Sequence, residues 1–187
     1  VLSHTAYSES KWNIIYKSPY TLTNNFSDID CRDSNNCIAL MNMNLVWPWI
    51  IKTSDGGHSW DTVLTNTGSY LPRMERCVYV SDKFCIATAE WGNYWISRDD
   101  GLAWEHHKIE TENGYNLMRS DFLNEEVGVM QTFIEVYITK DSARTWIRKK
   151  MPVNDGNEIL SVGYDIQVIN SNMIYLLVLE KLDSRIY

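Results

Sequence analysis

One eight-residue pattern occurs three times, and its spacing constrains the fold more than any other feature of the sequence. The copies are Thr53-Ser54-Asp55-Gly56-Gly57-His58-Ser59-Trp60, Ser97-Arg98-Asp99-Asp100-Gly101-Leu102-Ala103-Trp104 and Thr139-Lys140-Asp141-Ser142-Ala143-Arg144-Thr145-Trp146. They share Ser/Thr-x-Asp-x-Gly-x-x-Trp, with Ala143 replacing glycine in the third copy. Trp60, Trp104 and Trp146 stand 44 and 42 residues apart. Each copy reads as a tight hairpin turn. Asp55, Asp99 and Asp141 accept backbone N–H groups across the turn, and Gly57 and Gly101 supply the positive φ it needs. The tryptophan opens the next strand. Ala143 predicts a steric cost and a distorted third turn. On this reading all of these residues are structural.

The flanking residues say what the turns connect. Ile50–Thr53, Tyr94–Ser97 and Val136–Thr139 lead into the three turns and are rich in β-branched and aromatic residues. Upstream, paired short apolar runs flank Asp33–Asn36, Ser81–Lys83, Leu123–Glu126 and Asn170–Asn172. Two inner strands, a strand into the turn and a strand out of it fill the period, which is the size of one propeller blade. The sequence therefore predicts an all-β chain: a β-propeller of four-stranded blades, about four of them in residues 1–187, read as a single domain. Trp12-Asn13-Ile14-Ile15-Tyr16 lies 48 residues before the Trp60 region and reads as an outer strand that closes the ring. Closure removes exposed sheet edges. A fragment of a larger propeller, or a protomer that completes one with a second copy, fits the same pattern.

The repeated pattern resembles the Asp-box, or BNR, repeat family, whose members include sialidases, sortilin-type receptors and propellers of the photosystem II assembly-factor type. The resemblance implies architecture rather than activity, because many functions share the box. It also implies that the box turns lie away from the usual binding face. In a propeller the loop between the second and third strands opens on the face opposite the box. That face would carry Trp47 and Trp49 in the first blade, Trp91 and Tyr94 in the second and Phe133 in the third. The connections between blades add Tyr70, Arg73, Tyr115 and Arg119. Exposed aromatics anchor partners or stack on sugars; buried, the same rings would be inter-blade core. Arg73 and Arg119 would meet an acidic group of a ligand, or pair on the surface.

Charge and motif content narrow the function. The chain has 24 acidic and 17 basic residues, net -7, which argues against a nucleic-acid partner. The one basic run, Arg148-Lys149-Lys150, reads as a solvated strand end. No apolar stretch approaches the roughly 18–20 residues of a membrane span. No P-loop, dinucleotide, G-x-S-x-G or H-E-x-x-H motif occurs, so no cofactor is assigned. No metal is assigned either: C-x-x-C is absent, and the adjacent His106 and His107 would point to opposite faces of a strand. Cys31 and Cys37 flank one inner hairpin, and Cys77 and Cys85 are read as their equivalents in the next blade. This predicts two intra-blade disulfides, with reduced thiols as the alternative. Disulfides would imply an oxidising compartment: secreted, periplasmic or cell-surface. A sialidase needs an arginine cluster, a Tyr–Glu nucleophile pair and an acid/base Asp. The Phe/Tyr-Arg-Ile/Leu-Pro motif expected near the start is absent, and no catalytic residue is assigned. The sequence points to a non-catalytic, exported module for protein–protein interaction. The alternative is a carbohydrate-binding or sialidase-like glycoside hydrolase domain. The partner would be a protein or a glycan, and the oligomeric state is open.

Overall fold

The computed structural model describes residues 25–43, 47–65, 72–151 and 161–180. Strands β1 (Asn25–Cys31), β2 (Cys37–Met43), β3 (Trp47–Thr53) and β4 (Asp61–Thr65) form the first sheet, in that order. Strands β5 (Met74–Tyr79), β6 (Cys85–Ala89), β7 (Asn93–Ser97) and β8 (Glu105–Lys108) form the second. Strands β9 (Arg119–Phe122), β10 (Gly128–Gln131), β11 (Glu135–Thr139) and β12 (Ile147–Lys150) form the third. The last two, β13 (Ser161–Asn170) and β14 (Met173–Glu180), pair with each other. Neighbouring strands are antiparallel throughout. Three complete blades and the inner hairpin of a fourth thus follow one another as in a propeller. The strand expected at Trp12–Tyr16 lies outside the described residues.

The core is a row of layers between blades. Ile38, Leu40 and Ile50 of the first blade pack on Met74, Cys77, Cys85, Ala87, Ala89 and Trp95 of the second. Phe84, Ile86, Tyr94 and Ile96 of the second pack on Leu117, Met130, Tyr137 and Ala143 at the third. Val129 and Val136 then meet Ile166 and Val168 of the fourth. A blade between two others buries both faces, so β6 is buried at every position rather than alternating. The innermost strands are joined differently. Asp28 and Asp30 of β1 accept the backbone N–H groups of Cys77 (2.9 Å) and Tyr79 (2.7 Å) on β5, and Asp121 of β9 accepts that of Val168 on β13 (2.7 Å). These carboxylates satisfy strand-edge donors that would otherwise lack partners.

The three box turns are nearly superimposable in their bonding. The buried hydroxyls of Thr53, Ser97 and Thr139 accept the N–H of Gly57 (2.9 Å), Gly101 (2.9 Å) and Ala143 (3.0 Å). The same hydroxyls donate to Asp55, Asp99 and Asp141. Each Asp in turn accepts the N–H four residues on, at 2.9 Å in all three copies. Two consecutive residues have positive φ in every box: Gly56 and Gly57, Asp100 and Gly101, Ser142 and Ala143. The distortion expected at Ala143 does not occur. Its φ of 61° keeps the turn intact, and its methyl is buried against the second blade. The box turns also bond to the inner-hairpin turns, through Gly56 N–H to Asn35 O, Asp100 N–H to Lys83 O and Ser142 N–H to Glu126 O. All six turns therefore share one face. On that face Arg32 and Lys52 of the first blade both bond Asp100 of the second, at 3.0 and 2.9 Å.

The cysteines correct the sequence reading. Cys31 and Cys37 are directly opposed at the end of β1 and start of β2, and they form a disulfide. Cys85 holds the equivalent of Cys37, but the residue opposite it is Tyr79, whereas Cys77 faces Ala87. Cys77 and Cys85 are buried free thiols. They are diagonal neighbours, too far apart to bridge without backbone movement. In the third blade the same opposed pair is Phe122 and Gly128. A Cβ on Gly128 would stand 2.2 Å from the Phe122 ring, so the ring occupies the space a second side chain would need.

Candidate binding face opposite the box turns

The connections opposite the boxes form a second face, which includes the loop between β6 and β7. Glu90–Gly92 makes a single 3-10 turn in which Trp91 has φ 58°. A bulky side chain at positive φ costs about 1–3 kcal/mol and persists only where its surroundings enforce it. Here they do. Glu90 N–H donates to Arg73 O and the Glu90 carboxylate accepts Arg73 N–H, both at 3.0 Å. Asn93 Nδ2 donates to Glu90 O at 2.8 Å. Trp91 N–H donates to Asn116 Oδ1 at 3.3 Å. Gly92 accepts Ile109 N–H at 2.9 Å, and a Cβ there would fall 2.0 Å from Ile109 O, so only glycine fits. The backbone is pinned on all sides while the Trp91 residue remains 39% exposed.

Next to it lies the connection from β8 to β9. Glu112–Gly114 repeats the same turn, with Asn113 at φ 53°. Asn116 links the two loops: it accepts Trp91 N–H and donates to Glu75 Oε1 at 3.3 Å. Burial pushes the Glu75 carboxyl up, and Glu90 adds to this, against the pull of Arg73, Asn116 and Arg119. Tyr115 stands edge-on to Phe133, their ring centroids 6.0 Å apart. Arg119 donates to Met118 O at 2.8 Å and lies 3.9 Å from Asp165 of the fourth blade.

The structure thus brings Arg73, Trp91, Tyr115, Phe133 and Arg119 onto the loop side of the second and third blades. Tyr94 is not among the exposed aromatics. It is 4% exposed in the inter-blade core, stacks on His107 and accepts a bond from Trp146 Nε1 at 3.2 Å. The reason is the position of the strand: Tyr94 is the second residue of β7, all five residues of which are buried, so a side chain there meets a neighbouring blade whichever face it points to. Trp49 is half-buried and packs with Trp60 on Ala39, Met41 and Ile51. Trp47 opens β3 opposite Met43. Tyr70 lies outside the described residues.

One cluster escaped sequence reasoning. Glu135, fully buried at the start of β11, accepts Glu112 N–H (2.9 Å), the Tyr137 hydroxyl (2.7 Å) and the Arg148 guanidinium. Arg148 and Lys150 also reach Glu112, at 3.2 and 2.7 Å. Burial works against the Glu135 charge, but these donors hold its carboxyl below the ordinary range. The basic run read as a solvated strand end is exposed along its length, and within it Arg148 and Lys150 carry these partners. Register is the hidden signal: Tyr137 faces Arg148 and Glu135 faces Lys150. Burial, then the bond to Glu135, pushes the Tyr137 phenol well above its usual value.

No helix among the described residues is long and apolar enough to cross a membrane. No family model matches the chain, and no curated protein matches it. Solved structures do. The chain is similar to YCF48 bound to D1 peptide, with TM-score 0.56 and 18% identity over 66% of this chain and 40% of that one. It is similar to YCF48 from Cyanidioschyzon merolae, with TM-score 0.60 and 14% identity over 83% of this chain and 48% of that one. The chain spans less than half the length of either structure, and at these identities the likeness shows the fold, a β-propeller.

Proposed function

We propose that this chain is a non-catalytic propeller module that binds a protein segment on the face opposite its box turns. The observation that carries the reading is Trp91: a large aromatic held at positive φ by a fully bonded loop, yet open to solvent. A pre-ordered aromatic loses little freedom on binding and suits the centre of an interface. Tyr115 with Phe133, and Arg73 with Arg119, extend the surface on either side. YCF48 was solved with D1 peptide bound, which supports a peptide as the class of ligand for the fold. Among the described residues, the Tyr–Glu pair that resembles a glycosidase nucleophile, Tyr137 with Glu135, is buried, and burial together with Glu135 pushes its phenol further from ionisation. A phenol in that state is a weak nucleophile, which supports the non-catalytic reading. The disulfide at Cys31 and Cys37 supports export to an oxidising compartment.

The test is fluorescence polarisation of the protein with D1 peptide and an arrayed peptide library. Trp91→Ala is expected to weaken retained peptides by at least about tenfold, as a central aromatic anchor does, with the thermal midpoint unchanged. Equal binding by wild type and Trp91→Ala, or no peptide bound by either, overturns the reading.

A further inference from the structure

The innermost strands are joined by carboxylates at the first and last steps of the row, but not at the middle one. Asp28 and Asp30 of β1 cap the N–H groups of Cys77 and Tyr79 on β5, and Asp121 of β9 caps that of Val168 on β13. Between β5 and β9 the acids are missing. Register makes Arg76 and Val78 the counterparts of Asp28 and Asp30: they stand opposite Thr88 and Ile86, as the two acids stand opposite Leu40 and Ile38. A guanidinium and an isopropyl group accept no hydrogen bond. Ser120 and Phe122 of β9, opposite Met130 and Gly128, are the counterparts of Cys77 and Tyr79. Their N–H groups point away from β10, as those of Cys77 and Tyr79 point away from β6. Among the described residues neither N–H has an acceptor.

Side chains at this seam lack partners too. Ser120 lies opposite Met130, which faces the second blade, so its hydroxyl lies in the seam between the second and third blades. That hydroxyl is unbonded although the residue is only 9% exposed, and so is the fully buried Thr88 hydroxyl across the seam. In the preceding seam the same two positions hold Cys77 and Leu40, which share one apolar cluster. Ser120 therefore offers an N–H and an O–H with no acceptor for either. Elsewhere in the chain that pair of donors clasps a carboxylate: Ser59 gives its N–H to Asp55 Oδ1 at 2.9 Å and its hydroxyl to Oδ2 at 2.6 Å. Charge also favours an anion. The Arg76 and Arg119 side chains are partly exposed, and Glu75, next to Arg76, is turned to Asn116.

We propose that an acidic segment of a protein partner caps the inner edge of β9, placing two carboxylates, two residues apart, on the N–H groups of Ser120 and Phe122 as Asp28 and Asp30 do on β5. The proposal takes from the reading above only that the ligand is a peptide. β9 begins at Arg119, on the loop side, so a segment lying on that face can reach the edge. The experiment follows backbone amide resonances of isotope-labelled protein during titration with the end-capped peptide Ser-Asp-Ile-Asp, which copies residues 27–30. End-capped Ser-Asn-Ile-Asn and acetate are the controls. Saturable shifts at the Ser120 and Phe122 amides are expected with Ser-Asp-Ile-Asp alone. Ser120→Ala keeps the N–H and loses the hydroxyl, and is expected to weaken binding at least about tenfold, the loss of one charge-assisted hydrogen bond. Trp91→Ala is expected to leave the shifts in place, so this edge and the aromatic loop are read separately. No saturable shift at the two amides, an equal response to Ser-Asn-Ile-Asn or acetate, undiminished binding by Ser120→Ala, or loss of the shifts in Trp91→Ala would each overturn the proposal.

Discussion

Thr139→Val tests whether the box hydroxyl holds its turn together. Valine matches threonine in shape, so no cavity is created at a position that is 1% exposed. What disappears is a two-way bond: the hydroxyl donates to Asp141 at 2.9 Å and accepts the buried Ala143 N–H at 3.0 Å. The two ends of that bond fare differently. Asp141 lies near solvent and recovers a water. The Ala143 N–H is sealed between blades, and a buried donor left unsatisfied costs about 1–3 kcal/mol. The expected loss is therefore about 2 kcal/mol, or roughly 4–8 °C of thermal midpoint for a chain of this length. Urea unfolding at neutral pH reads it as a lower midpoint at unchanged slope. Thr53→Val removes the equivalent bond to Gly57 N–H at 2.9 Å and should lose as much. If both variants stay within about 0.5 kcal/mol of wild type, the change usual for an unimportant surface site, the hydroxyl does not organise the turn.

Other perturbations have defined outcomes. Ala143→Gly relieves about 1–2 kcal/mol of left-handed strain, but it frees the unfolded chain by about 0.4–1 kcal/mol and removes a buried methyl worth about 0.8 kcal/mol. Its stability should stay within about 1 kcal/mol of wild type, and a larger gain in urea unfolding would show that the third turn is strained beyond its φ. Burial pushes the Cys77 thiol well up and the Cys85 thiol to about 12, so iodoacetamide should label neither in the native protein. Mass spectrometry should find two labels after unfolding without reductant and four with it. Arg148→Met removes a donor that holds the Glu135 carboxyl below its ordinary value. A depressed carboxyl contributes stability above its unfolded pKa and loses it as pH falls through the folded one. The variant should therefore trail wild type at neutral pH and converge with it in acid; a constant gap across that range would exclude Glu135 as the cause.

What could be read from the sequence was local. The Gly57 N–H donates to the Thr53 hydroxyl four residues back, so the bonds that shape each turn lie within the eight-residue pattern, and the period between copies fixes the blade. The inner hairpins were legible for the same reason. What stayed hidden depends on register between strands. Cys77 and Cys85 lie eight residues apart and Cys31 and Cys37 six, and those two extra residues put Tyr79 rather than Cys77 opposite Cys85. Glu135, Tyr137 and Arg148 form a network only once β11 and β12 are aligned. Trp91 and Tyr94 stand three residues apart, yet one is displayed by a turn and the other buried by a strand. The break between them falls at Gly92, where glycine marks the close approach of Ile109 O.

The directly opposed positions at the tips of the first three inner hairpins hold Cys31 with Cys37, Tyr79 with Cys85 and Phe122 with Gly128, and in the third the Phe122 ring fills the space a side chain on its partner would need. Enlarging one member requires shrinking the other, so Gly128 cannot grow while Phe122 is present. Homologous blades should show these two positions changing in concert rather than singly. Replacing Phe122 and Gly128 together with cysteine should transplant the covalent link of the first blade into the third.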